Sequence, residues 1–301
     1  MELYDLKEIP EEFKKFFRPA ELGLETTYQE FIQKLIDIFN ETKRVLKKEG
    51  TCFVNLADTY AGGGYGADTN LENTKQFTNQ GTIESRDKIA QLRKQNKQIQ
   101  QKSLMLIPHR FVIAMSDAGW LVRNDLIWIK KNAMPESVND RWKKAHEHFF
   151  FFTKSKKYYF NLDKIRTRHA EVSLKRAEYE QGRNALGQNP SSLGTKSEKY
   201  GMPARIVKLN PLGGVPPDYL DVFTNCNEDV ATEHFATYPQ GLIAPLIRAG
   251  CPEGGIVYDP FMGSGITAVV ARKQGCNFLG SELNPKYIAI ANARLRQQVL
   301  L

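Results

Sequence analysis

The sequence predicts an α/β fold, a doubly wound, Rossmann-like sheet carrying an inserted basic region, and three observations lead to it. Residues 256–297 read as strand, glycine-rich loop, helix, strand and helix, an order that implies parallel strands joined by a right-handed crossover. Residues 26–56 read as an amphipathic helix, a glycine and a buried strand, a second α/β unit. Residues 161–210 break this regularity: they hold ten Lys/Arg against five acids around a Gly/Asn/Pro/Ser loop at 187–194, as an inserted lobe would.

The elements follow in chain order. Tyr28, Phe31, Leu35, Ile38, Phe39, Thr42, Val45 and Leu46 recur at steps of three and four, which predicts a helix over 26–48. Lys47 and Lys48 suit its negative end, and Gly50 suits its C′ position. Thr51–Leu56 is a buried strand by composition. From Tyr60 the composition turns to glycine and then to polar, basic, Gln-rich residues, so 61–103 reads as an insert, either an exposed solvated segment or a strip that meets phosphates. Leu104–Met115 is expected to be helical and Leu121–Ile129 a strand. Trp142–Phe152 leads into another strand that turns at Lys154–Tyr158. After the insert, Pro239–Ala249 reads as a helix, Ile256–Tyr258 as a strand, Ile266–Gln274 as a helix closed by Gly275, and Asn277–Ser281 as a strand. Pro285–Gln297 is the last helix, with Asn284 as N-cap and Pro at N1.

Composition bounds the function. The chain has 301 residues, 41% hydrophobic and 25% charged, and a net charge of +8 from 42 Lys+Arg against 34 Asp+Glu. That excess suits a polyanionic partner. No apolar run reaches the ~18 residues of a membrane span, and Met1–Asp5 has neither a basic nor an apolar leader segment. The expectation is a cytoplasmic protein that needs no membrane. Cys52, Cys226, Cys251 and Cys276 form no C-x-x-C pair, so no metal site is expected.

Asp259-Pro-Phe-Met-Gly-Ser-Gly265 follows a buried strand and opens a helix, so a ligand could approach its backbone closely and meet free N–H groups. Glu282 ends the next strand, where a carboxylate can accept hydrogen bonds from both hydroxyls of a ribose. The loop is neither G-x-G-x-x-G nor a P-loop. Asp259 would repel a diphosphate and attract a cationic sulfonium, and Phe261 could stack on an adenine. Together these ask for S-adenosylmethionine (AdoMet). The plain alternative is a tight structural turn.

These residues reach a known family. Asp259–Thr267 closely resembles the AdoMet-binding motif of DNA methyltransferases acting on cytosine N4 or adenine N6. Gly280–Tyr287 is similar to the segment that follows it, and His234-Phe-Ala-Thr-Tyr-Pro239 to the cofactor-side motif before it. Their order, with the cofactor motif near the C-terminus, resembles the beta subgroup. Asn124–Trp128, Met134–Arg141, Ala145-His146-Glu147 and Gly23-Leu-Glu25 are similar to it as well. The resemblance runs from about Glu21 to Arg296, outside the inserts near 61–103 and 165–215. It implies one methyltransferase domain over 1–301 with a target-recognition insert at 161–215, double-stranded DNA as partner, and methyl transfer from AdoMet to an exocyclic amine, within a restriction-modification system. It also implies that Phe235, Thr237, Asp259, Pro260, Phe261, Gly263, Ser264, Gly265 and Glu282 form the cofactor site, with Glu282 on the ribose. Relatives with similar Met-Pro-Glu-Ser and His-Phe-Ala segments lean to cytosine N4.

One departure stands out. The family carries Ser/Asp/Asn-Pro-Pro-Tyr/Phe, which stacks on a flipped base and holds its amine, on the N-terminal side of Gly23-Leu-Glu25. The only Pro-Pro here is Pro216-Pro217, between Val215 and Asp218, so no catalytic residue is assigned. Three readings stay open: a truncated start, a split enzyme whose loop lies on a partner chain, and an AdoMet- and DNA-binding protein without catalysis.

Overall fold

A computed structural model of the chain describes residues 22–23, 25, 27–61, 99–133, 135–185, 209–223 and 238–297. They divide into two compact units, one within Met1–Phe160 and Asp218–Leu301, the other within Asn161–Pro217.

In the first unit, helix α1 (Tyr28–Val45) starts where Thr27 accepts the N–H of Glu30 on its hydroxyl, a side-chain cap that satisfies one free helix donor. Its apolar stripe buries Ile32, Leu35, Ile36 and Phe39. The helix ends at Leu46 in extended conformation rather than through a left-handed glycine. Gly50 is therefore not its C′ residue. It closes the following turn, bonded to Lys47 O, where a Cβ would strike the Leu46 side chain. Strand β1 (Thr51–Leu56) follows, then α2 (Ile107–Asp117), β2 (Leu121–Lys130) and β3 (His146–Thr153). Next in this unit come β4 (Tyr219–Val222) and then α4 (Gln240–Gly250), β5 (Ile256–Asp259), α5 (Ile266–Lys273), β6 (Asn277–Gly280) and α6 (Pro285–Gln297).

The strands form a four-stranded sheet of order β1-β3-β2-β4 and a two-stranded sheet β5-β6. The expected parallel pairing holds for β5 with β6, and β4, a strand the sequence reading does not contain, also pairs parallel with β2. It fails for β3, which runs antiparallel between β1 and β2. The reason is the short connection from Lys130 to His146, which reverses the chain without the crossover helix that a parallel neighbour needs. β3 lies inside the sheet and is covered on both faces, which explains its unbroken Phe149–Phe152 run.

The two faces have separate cores. On one, α1 and α2 pack Phe39, Phe111 and Met115 against Cys52, Val54, Phe150 and Phe152. On the other, Leu242, Ile243, Leu246 and Ile247 of α4 pack with Ile266 and Val270 of α5 against Trp128, Phe149, Phe53 and Val257. The second core spans both sheets, so one helix layer covers β1 and β5 alike. Thr51 Oγ1 also donates to Gly250 O (3.0 Å), which ties the amino end of β1 to the turn that leads into β5.

In the second unit, a 3-10 turn at Leu162–Ile165 precedes helix α3 (Glu171–Ala185). Thr167 and Gly214 exchange backbone hydrogen bonds, and Arg166 Nη1 donates to Gly213 O (3.1 Å). Gly213 has φ +112°, and a Cβ there would collide with Thr167 O.

Phe111 and Phe152 are fully buried and meet edge to face at 6.1 Å. Phe152→Ala should therefore lower the stability of the first unit by about 3–5 kcal/mol, read as a shift of the denaturant midpoint. A shift well below 1 kcal/mol would mean that β3 is not in this core.

Candidate active site

The loop from Asp259 to Gly265 is shaped by a knot of polar side chains beneath it. Asp259 Oδ1 accepts the N–H of Phe261 (2.9 Å), and Oδ2 accepts the hydroxyl of Thr267 (2.5 Å). The Tyr238 hydroxyl lies 2.5 Å from Thr267 Oγ1 and 3.4 Å from Asp259 Oδ2, completing the chain of donors. Removal from water pushes the Asp259 pKa up, and these three hydrogen bonds oppose that rise. The same burial, with the Asp259 carboxylate beside it, pushes the Tyr238 phenol up, so it serves as a neutral donor. Asp259 thus works chiefly as the organiser of the turn, its oxygens directed at Thr267 and the loop backbone. The attraction for a sulfonium read from its charge is the weaker part of its role, because that charge is already engaged.

Glu282 reaches back from the end of β6 and braces the loop from the other side. Its Oε2 accepts the N–H of Gly263 and its Oε1 that of Asn284, both at 2.8 Å. A carboxylate has about four acceptor positions, so each oxygen keeps one for a further donor such as a ribose hydroxyl. The loop rests on β6: Met262 donates to Ser281 O, and Ser281 donates to Asp259 O. Met262 lies over Gly280, where any Cβ would overlap its side chain.

Gly265 is the tightest point. Its φ is +84°, and a Cβ built there would lie 2.8 Å from the Ala291 Cβ. Gly263 also takes a positive φ, +53°. Ser264 is buried, and its hydroxyl and carbonyl both accept Arg294 Nη1, at 3.0 and 2.9 Å. Its side chain therefore fastens the loop to α6. Tyr238 and Thr267 lie within the motifs read from the sequence but carry no role of their own there, and Arg294 is not singled out. The buried Arg294 could have been suspected, since it sits in the last turn of α6 one helical turn from Ala291, on the loop-facing side.

Outside this frame, Phe261 is 46% exposed and Leu283 52% exposed, two apolar side chains adjacent in sequence to Met262 and Glu282. Pro260 is half-buried at the start of the turn. The cradle fits a nucleoside: a backbone stripped of side chains at Gly263 and Gly265, a carboxylate with spare acceptors, and open apolar surface. Phe235 and Thr237 lie outside the described residues.

A second polar cluster gathers where β1 ends and the β2–β3 connection passes. Asp58 Oδ1 accepts the N–H of Thr59 (2.8 Å) and of Ile107 (3.1 Å), and so caps α2, whose own N-cap Leu106 offers no side-chain acceptor. Asp58 Oδ2 is buried with no partner among the described residues. Lys144 Nζ donates to Asp58 O (3.0 Å). The Arg141 guanidinium lies 4.1 Å over the Tyr60 ring and bonds Glu136 (2.7 Å), which holds that carboxyl below its ordinary range. Arg141 is therefore paired with Glu136. Asp140, its sequence neighbour, pairs with Lys102 (2.7 Å). Glu147 pairs with Lys130 across the β2–β3 ladder, and His148 Nδ1 lies 3.0 Å from Asp125. His146 and His109 ring against His148 at 5.5 and 5.0 Å.

A family model for DNA methylases of the N6/N4 type matches residues 10–293. The chain belongs to this family. A type II methyltransferase of Citrobacter freundii, M.Cfr9I, is 32% identical over 279 residues, covering 92% of this chain and 75% of its own. M.SmaI of Serratia marcescens is 29% identical over 276 residues, covering 92% and 77%. Among solved structures, the PvuII DNA methyltransferase (cytosine-N4-specific) matches with TM-score 0.57 and 17% identity over 92% of this chain and 74% of that one, a likeness of fold. As a DNA methylase of this family, the protein is a DNA amino-methyltransferase that uses AdoMet. No helix among the described residues is long and apolar enough to cross a membrane, and none of their His, Cys, Asp and Glu side chains group as a metal site.

Gly265→Ala tests the loop geometry. A left-handed φ and the approach to Ala291 both penalise a methyl group, so a loss of about 2 kcal/mol or more is expected in denaturant unfolding, with weakened AdoMet binding. Unchanged stability and affinity would show that the loop backbone lies elsewhere.

Proposed function

We propose that this chain holds AdoMet against Gly263, Gly265 and Glu282 and, once joined by a strand that supplies the catalytic loop, methylates the exocyclic amine of a DNA base, with cytosine N4 the favoured position. The observation that carries the reading is the cradle: a glycine backbone pinned from below by Asp259, Thr267 and Tyr238 and from the side by Glu282. When bound, AdoMet supplies an electrophilic methyl group on a sulfonium. The protein's part is positioning. Glu282 keeps an acceptor for ribose hydroxyls, Phe261 offers its exposed ring to the adenine, and Ser264 offers its backbone N–H, its carbonyl and hydroxyl both accepting from Arg294. The likeness to a cytosine-N4-specific methyltransferase and the type II methyltransferase relatives support cytosine N4 and a role in restriction-modification. The basic residues of 161–215 suit phosphate contacts, which supply affinity without sequence information.

The family's polar-Pro-Pro-aromatic loop has no counterpart in this sequence, and the fold supports a reading of how it is supplied. Among the described residues, β1 ends the four-stranded sheet and β5 ends the two-stranded sheet, while α4 and α5 cover both. A strand seated between β1 and β5 would join the two sheets and satisfy both open edges. We assign that place to a strand bearing the missing loop, contributed by a partner chain.

The test is methyl transfer from labelled AdoMet to unmethylated DNA, with the product nucleoside identified by mass. The 301-residue chain alone should transfer nothing. Addition of a polypeptide carrying an apolar strand followed by the tetrapeptide should produce N4-methylcytosine. Incorporation by the chain alone would contradict the need for the added strand, and N6-methyladenine would contradict the choice of base.

A further inference from the structure

Trp142 is 93% exposed, whereas the other two tryptophans, Trp120 and Trp128, are 2% and 4% exposed. An indole left in water gains nothing for folding, and it is among the side chains with the most surface to bury against a partner. Its backbone is nevertheless firmly held. Arg141 Nη1 donates to Trp142 O (3.1 Å) and to Glu136 Oε2 (2.7 Å), while the same guanidinium stacks on Tyr60. Two residues on, Lys144 is bonded to Asp58 O, and Ala145 O accepts the N–H of Lys130 as β3 begins. The connection thus forms a braced platform from which one large ring projects, flanked by Arg141, Lys143 and Lys144. Positive charge beside an aromatic face is the combination that seats nucleic acid: cations meet phosphates and the ring meets a base.

We infer that Trp142 is a DNA-stacking residue, its indole pressed against a base of the duplex while the neighbouring cations hold the backbone. The inference rests on DNA being the substrate. Stacking on a base requires only a π-face, so the contact supports affinity and the opened duplex rather than sequence choice. Trp142 is assigned no part in methyl transfer itself. Trp142 lies between the two family-like stretches Met134–Arg141 and Ala145–Glu147 and in neither, so that likeness does not single it out. Exposure does.

With the other two indoles buried, acrylamide quenching of tryptophan emission reports Trp142 almost alone. In the free chain a strongly quenchable fraction is expected, and Trp142→Phe should remove it. Saturation with a short unmethylated duplex, followed independently by anisotropy of a dye on the DNA, should shield that fraction. Trp142→Ala should weaken duplex binding roughly 5- to 100-fold and leave the slope of log K against log salt unchanged, because an indole neutralises no phosphate. Trp142→Phe should recover most of the affinity, and the thermal midpoint should not move in either variant. DNA bound with Trp142 still open to quencher, or Trp142→Ala binding as tightly as the parent, overturns the stacking role alone. An indole already shielded in the free chain overturns it too. Failure of the parent chain to bind duplex at all overturns both this inference and the DNA-methylating reading beneath it.

Discussion

The backbone at Gly265 passes so close to Ala291 that no side chain fits between them, and the candidate site depends on that approach. It brings the amino end of α5 against α6, which lets Arg294 reach Ser264 and lock the far end of the loop. The near end is held by a different device, the Asp259–Thr267–Tyr238 chain, whose members come from the strand, the helix and the segment just before α4. Glu282 fixes the middle through Gly263. Each polar group in this frame spends part of its hydrogen-bonding capacity on the protein. What faces outward is backbone, two spare acceptors and exposed apolar side chains, a surface suited to a nucleoside-containing ligand and prepared before any ligand arrives.

The sheet shows the same division between structure and function. The β3 strand is covered on both sides by phenylalanines and leucines, so it anchors β1 and β2 without contributing chemistry. The polar clusters gather in connections: the β5–α5 loop, and the segment between β2 and β3 where Arg141, Glu136 and Tyr60 lock together. Ordered strands carry rigid loops, and the loops hold the groups that meet the ligand.

Much of this was legible in the residues. The strand–loop–helix–strand–helix run of 256–297 has strong local signals at every boundary, and α6 spans the same Pro285–Gln297 read from Asn284 and Pro285. The amphipathic stripe of α1 was equally clear. Two elements were not. β4 is four residues long and alternates exposed with half-buried positions, too short and too polar for periodicity to reveal it, since β2 rather than its own pattern specifies it. Helix α3 was hidden in a basic stretch whose polarity outweighs its 3.6-residue repeat. The antiparallel placement of β3 depends on the length of a connection and on pairing partners distant in sequence, neither of which a local pattern records. At the site, glycines and acids announced themselves, whereas Thr267, Tyr238 and Arg294 act through contacts between elements. Asp259 illustrates the limit: its charge was visible in the sequence, but the direction of its oxygens was not.

The central claim is that the 259–282 frame is a formed AdoMet site. Calorimetric titration of the 301-residue chain with AdoMet tests it most directly, alongside Glu282→Gln. Saturable binding at one site is expected, displaced by S-adenosylhomocysteine and weakened roughly 10- to 100-fold in Glu282→Gln through the loss of charged hydrogen bonds. A folded chain that takes up no AdoMet, or binds it equally well without the Glu282 carboxylate, would contradict the account.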